Sequence, residues 1–135
     1  MKKTLLMLLA ILCLFSACQS NITNYETAVY NADTELGEGS KTVVVKVTDD
    51  KNNTVTFTFH TDAEFLGDVL IEHKIIAGEE AEYGMYIKAV NGVRADYDKD
   101  KAYWGFYKDG EYMMSGVDTT KFSDGETYEL VYTKD

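Results

Sequence analysis

Three aspartates, Asp96, Asp98 and Asp100, alternate as Asp-x-Asp-x-Asp, the spacing with which a calcium loop opens. The rest of such a loop is missing. Its sixth position is Lys101, where the sharp turn calls for Gly, and its twelfth is Tyr107, where a bidentate Glu would complete the oxygen shell. The segment therefore reads as a solvated acidic loop, with weak calcium capture at extracellular concentrations as the alternative. His60 and His73 are the other metal-ligating side chains; a site built on them needs a further ligand that the sequence does not place, so they read as surface or half-buried histidines. No Ser stands in a nucleophile elbow, no Gly-rich phosphate loop follows a strand, and no carboxylate pair stands out from a generally acidic chain. The expectation is a non-enzymatic protein that requires no cofactor.

What the chain concentrates instead is aromatic and methionine side chains. Tyr103-Trp104-Gly105-Phe106-Tyr107 and then Tyr112-Met113-Met114 load both faces of one hairpin with large apolar groups. A sheet backed by a single helix needs that material on one face only. The second face is expected to present a surface suited to a flat, partly apolar ligand or to a protein partner. The competing reading keeps Trp104 and Phe106 in the core and makes the tyrosines ordinary strand residues.

These side chains must be positioned by short strands. Val43, Val45 and Val47, then Val55, Phe57 and Phe59, alternate with period two on either side of Asp49, Asp50, Asn52 and Asn53, which predicts a hairpin. Thr61 and Glu64 have the spacing of a capping box, and Phe65, Leu66, Val69, Leu70 and His73 follow at helical intervals, so a helix is expected over 62–74. Gly78 with Glu79, Glu80 and Glu82 reads as a solvated loop. Tyr83, Met85, Ile87 and Ala89 then alternate into Asn91-Gly92, a pair suited to positive φ in tight hairpin turns. Strands are expected over 102–108 and 111–114 around Asp109-Gly110, and over 126–133 after Asp124-Gly125. Two strands, a helix and several more strands predict an α+β fold: one helix packed on a mostly antiparallel or mixed sheet, with a β-grasp-like arrangement.

Lys2 and Lys3, an apolar run from Thr4 to Phe15, and Ser16-Ala17 before Cys18 read as a signal peptide over 1–17, too short to span a bilayer. The segment Leu14-Phe15-Ser16-Ala17-Cys18 resembles the lipobox of bacterial lipoproteins, with Phe15 where leucine is usual. That resemblance implies acylation of Cys18 and a protein lipid-anchored at the cell surface, on the outer side of the membrane. The alternative is an ordinary secretory signal cleaved nearby. Residues 18–40, polar and without sustained period, read as the lipidated cysteine and a flexible tether, and 41–135 as the single domain. The chain's two cysteines are Cys13 and Cys18, so that domain holds no thiol for a disulfide, a zinc site or a nucleophile. With Lys2 and Lys3 removed from 13 basic residues, 11 stand against 23 acidic ones, a balance of −12. Such a surface repels phosphate backbones and anionic headgroups, which excludes nucleic acid as a partner and leaves membrane attachment to acyl chains.

The stretch Tyr103-Trp104-Gly105-Phe106-Tyr107-Lys108-Asp109-Gly110-Glu111-Tyr112-Met113-Met114-Ser115-Gly116-Val117, followed by Phe122-Ser123-Asp124-Gly125-Glu126-Thr127 and a closing strand, resembles the C-terminal β-domain of transcobalamin and intrinsic factor. It is similar also to bacterial transcobalamin-C-terminal-like domains of unknown function, many of them surface lipoproteins. The helix around 65–74 and Ile87-Lys88-Ala89-Val90-Asn91-Gly92-Val93 fit the same template, so the resemblance covers 41–135. It implies a β-grasp-like fold and contact with one side of a corrinoid through Trp104, Met113 and Met114, with Ser115 and Gly116 following. Tyr107 and Tyr112 complete the hairpin expected to bear the ligand. The animal carriers close their ligand against a large helical domain that has no counterpart in this sequence. The expectation is therefore half a corrinoid site in a surface-anchored small-molecule-binding module, with a transporter or second surface protein as partner. The alternative class is an extracellular protein- or glycan-binding adhesion module, with a calcium-dependent form through Asp96, Asp98 and Asp100.

Overall fold

In the computed structural model, which describes residues 25–135, the period-two runs form the strands they predict. The signal segment and Cys18 lie outside the described residues. Strands β2 (Lys41–Thr48) and β3 (Thr54–Thr61) pair antiparallel from Lys41 opposite Thr61 to Thr48 opposite Thr54. Because successive side chains point to opposite faces, Val43, Val45, Val47, Phe57 and Phe59 all reach the core. Strand β9 (Thr127–Lys134) runs parallel to β2 and antiparallel to β7 (Ala102–Lys108), and β7 turns back into β8 (Glu111–Tyr112). With β1 (Thr34–Leu36) beside β3, the order is β1-β3-β2-β9-β7-β8. A second sheet holds β4 (Ile76–Ala81), β5 (Gly84–Val90) and β6 (Val93–Arg94). The main helix, α1 (Leu66–Glu72), buries Leu66, Val69 and Leu70 in the same core as the β2 and β3 side chains. The molecule is thus α+β, with one principal helix on mixed and antiparallel sheet. Among the described residues no helix is long and apolar enough to cross a membrane.

Asn91-Gly92 and Asp109-Gly110 form the two-residue turns expected of them, with φ of 48° and 83° in the first and 50° and 80° in the second. Both residues of each turn are left-handed, the geometry whose twist matches that of the flanking strands.

Three expectations are corrected. The capping box does not form: Thr61 is the last residue of β3, its hydroxyl accepts the Ala63 N–H (3.0 Å), and α1 begins after Phe65 without a side-chain cap. A long-range contact replaces the cap, since the Leu66 N–H donates to the Thr120 carbonyl (2.9 Å). Gly78, Glu79 and Glu80 are strand rather than loop, while Glu82 lies in the turn that follows. Their acidic pattern belongs to the exposed outer part of β4, which bulges at Ala77/Gly78 against β5.

The tether reading of 18–40 also fails over the described part. From Tyr25 the chain straps the small sheet to the large one. The Tyr25 hydroxyl donates to Glu79, and the Arg94 guanidinium lies 4.9 Å from the Tyr25 ring centroid. The Gly92 N–H donates to Thr27 Oγ1 (2.5 Å), and Ala28 N–H to the Lys74 carbonyl (2.7 Å). Asn91 grips Tyr30 twice, accepting its N–H (2.7 Å) and donating to its carbonyl (2.9 Å). Beyond this, β1 pairs parallel with β3, Thr34 opposite Phe57 and Leu36 opposite Phe59, and the Tyr30 ring meets Phe57 edge-on at 5.5 Å. Most of these contacts are single polar or ring contacts to distant residues, which leave no periodic apolar signal.

Gly67 is buried on α1 where an added Cβ would come within 2.7 Å of the Asp118 Cα. Alanine inside a helix ordinarily gains about 1 kcal/mol over glycine. Here the gain is outweighed, because the 117–118 backbone must withdraw, an overpacking cost of roughly 1–3 kcal/mol. Gly67→Ala is expected to lower the thermal midpoint, and a rise would show that the helix and this segment are not in close contact.

Candidate functional site

Strand β7 alternates across its sheet, so Trp104 and Phe106 share the inward face and Tyr103, Gly105 and Tyr107 the outward one. Trp104 and Phe106 are each 7% exposed. The Trp104 indole N–H donates to the Val93 carbonyl (3.1 Å) and its ring meets Tyr132 edge-on at 5.7 Å, while Phe106 stacks on Tyr128 at 5.7 Å. Held in this way, the two rings close the floor of a cleft of about 550 Å³. One wall is the end of β4 and the start of β5, carrying Tyr83 and Met85; the other is the chain leaving β8, with Tyr112, Met113 and Met114. The Met113 N–H donates to the Phe106 carbonyl (2.8 Å), which fixes that wall against β7. The rims stay in water: Met114 is 89% exposed, Tyr83 83% and Tyr112 56%.

The two walls are tied together by close backbone approach. Asp118 Oδ1 accepts the Met85 N–H (2.8 Å), and a Cβ on Gly116 would fall 2.6 Å from that carboxylate oxygen and 3.0 Å from Met85 N. Gly84, at φ 117°, faces Gly116 across the same gap. Glycine at both positions lets the strand and the segment meet. Ser115 also lines the cleft, its hydroxyl 3.5 Å from that of Thr120.

Of the residues expected to bear a ligand, the structure gathers Trp104, Tyr112, Met113, Met114, Ser115 and Gly116 around this cleft. Tyr107 is placed elsewhere. It packs edge-on against Tyr112 at 5.6 Å on the outward face, over Gly105, whose Cβ would come within 2.8 Å of the Tyr107 ring. Sequence reasoning missed the Glu82–Tyr86 wall and the contributions of Tyr97 and Tyr103. The signal was present in Tyr83-Gly84-Met85-Tyr86, which repeats the aromatic and methionine chemistry of the hairpin.

Glu82 is the one charged side chain among those lining the cleft. The Tyr97 hydroxyl donates to Asp135 (2.9 Å), and that bond raises the Tyr97 phenol above its ordinary pKa; burial, first of all, does the same for Tyr103. Both are neutral at physiological pH.

The metal candidates do not converge. Asp96 caps the one-turn helix α2 (Tyr97–Asp100), accepting the N–H groups of Asp98 (3.1 Å) and Lys99 (3.3 Å), so Asp96, Asp98 and Asp100 are spread around a helical turn rather than along a loop. His60 bonds Glu35 through Nε2 and lies 3.2 Å from Thr42 Oγ1 through Nδ1, while His73 stacks on Phe59 at 5.4 Å. Among the described residues no three His, Cys, Asp or Glu side chains gather as a metal site.

The profile of a domain of unknown function, DUF4430, matches residues 63–134, which carry every wall of the cleft. The chain belongs to the DUF4430 family. Among solved structures this DUF4430 chain is similar to a candidate metal-binding protein from Ruminococcus gnavus ATCC 29149, with 34% identity and a TM-score of 0.68 over 71% of this chain and 99% of that one. It is similar also to haptocorrin in complex with Cbi, with 22% identity and a TM-score of 0.51. That likeness, of fold alone, takes in 88% of this chain and 28% of haptocorrin, so the chain spans under a third of haptocorrin's length. No curated protein matches.

Proposed function

We propose that this chain is a non-enzymatic binding module, anchored at the cell surface through Cys18, whose cleft captures a flat, partly apolar small molecule, a corrinoid first among candidates, for uptake. The observation that carries the reading is a cleft with a closed aromatic floor and exposed methionine and tyrosine rims. Apolar groups held open to water gain roughly 25 cal/mol per Å² when a ligand covers them. Thioether side chains adapt to an irregular ligand surface, and the Ser115 hydroxyl with neighbouring backbone groups would bond peripheral amides. The fold-level likeness to haptocorrin and the hairpin's resemblance to the transcobalamin β-domain support a corrinoid in particular. The cleft covers one side of such a ligand, so affinity for the chain alone is expected to be roughly micromolar, far from the limit that full enclosure allows. A transporter or second surface protein would supply the other side.

Titration with cobalamin and cobinamide, followed by the ligand's absorption spectrum, tests this. Binding is expected to weaken about tenfold in a Met113→Ala, Met114→Ala double variant, as two apolar contacts are lost. No spectral change with either ligand at high micromolar concentration, with or without candidate transporter components, would sink the corrinoid reading and favour an extracellular protein- or glycan-binding module.

A further inference from the structure

We infer that the cleft selects a positively charged ligand: a large, soft organic or organometallic cation held over tyrosine faces, with Glu82 as its counter-ion. This rests on the cleft being a ligand site and goes beyond it by naming the charge. Seven of the residues lining the cleft are aromatic, one is acidic, and none is a lysine or arginine. An aromatic face carries negative quadrupole density, so a cation over it is attracted while an anion is repelled. Tyr86 and Tyr97 already carry the protein's own cations, with Lys88 Nζ 4.6 Å from the Tyr86 centroid and Lys101 Nζ 5.1 Å from that of Tyr97, so a ligand's charge must fall to the other rings. Among the described residues no lysine or arginine covers Tyr83, Tyr103 or Tyr112, and Tyr83, 83% exposed, is the ring most open to a ligand's charge. The formal charge of the chain, −10, raises the local concentration of cations and lowers that of anions at any open site.

The same lining says which cations. A hard ion such as calcium needs six or more oxygen ligands, and one carboxylate among methionines and tyrosines does not provide them. A charge spread over, or shielded by, an apolar framework keeps its attraction to the rings without demanding a hydration shell. The methionine sulfurs of Met85, Met113 and Met114 are the polarisable neighbours such a framework suits. A corrinoid whose metal centre leaves net positive charge belongs to this class, and so does a quaternary aromatic amine.

The test compares three flat ligands of one size on the full chain by equilibrium dialysis: N-methylphenanthridinium, neutral phenanthridine and phenanthridine-6-carboxylate. The cation is expected to bind about tenfold tighter than the neutral ring, with the carboxylate weakest. Glu82→Gln is expected to remove most of that preference, bringing the cation's affinity toward that of the neutral ring, while leaving the melting temperature unchanged, since Glu82 is exposed. Equal binding of cation and neutral ring, or a preference that Glu82→Gln does not alter, would overturn the inference and leave the cleft as a ligand site. If none of the three binds and cobalamin and cobinamide also fail, the cleft reading falls, and the charge inference with it.

Discussion

A chain begun at Lys41 is expected to unfold at a much lower urea concentration than one that keeps residues 25–40. The cut removes β1 from the edge of β3, takes the Asp33 carboxylate from the Thr56 N–H (2.8 Å), and leaves Asn91 without either of its bonds to Tyr30. It also uncovers Phe57 and Phe59, both 0% exposed in the intact domain, along the side where Tyr30 and Leu36 pack. Freeing the segment returns its conformational entropy, which offsets part of the loss. What remains is comparable to truncating a large core side chain, about 3 kcal/mol or more, a sizeable share of the 5–15 kcal/mol that holds a domain folded. The midpoint in a urea titration reads this directly. An unchanged midpoint would mean that the strap adds nothing and that 25–40 is a tether after all.

Trp104→Ala is expected to destabilise the domain by roughly 3–5 kcal/mol, whereas Met114→Ala should stay within about 0.5 kcal/mol of the parent. Both line one cleft, but they do different work. Trp104 is 7% exposed, fills space against Tyr132 and satisfies the Val93 carbonyl; Met114, 89% exposed, contacts mainly water. A binding defect in Trp104→Ala would therefore report a damaged floor, while one in Met114→Ala would report a lost ligand contact. Thermal melts of the two variants separate these roles. Equal stability of Trp104→Ala and the parent would make Trp104 free ligand surface instead of core.

The contrast marks how far the sequence could be read. Strands β2 and β3 were visible because one face of each meets the core and the other is more open, so residue type alternates with the backbone's own period, and β7 and β9 because aromatic or β-branched runs lie beside turn signals. The two-residue turns were visible because Asn-Gly and Asp-Gly answer a local steric demand. Strict alternation also separates Tyr107 from Trp104, and grouping the two in one ligand surface set that parity aside. The capping box misled because Thr61 and Glu64 satisfy a spacing, while the helix start is decided by the Thr120 carbonyl, far along the chain. Half of the cleft was legible for a related reason: the hairpin's excess of aromatic and methionine residues is a local property. The facing wall depends on how the three-stranded sheet docks on β7, and that docking rests on Gly84, Gly116 and Asp118, whose mutual contacts no local pattern encodes.

The outermost strands bear on how copies of this chain behave when crowded. β1 offers three residues and β8 two, the Asp33 carboxylate occupies an N–H that β3 would otherwise present, and β4 carries Glu79 and Glu80 along its exposed run. A strand from a neighbouring molecule adds to a sheet only where it finds a row of free backbone groups on a long, uncharged edge. None of these margins is long, and charge lines the one that comes nearest. At high concentration the described strands therefore offer neighbouring molecules little template for cross-β growth.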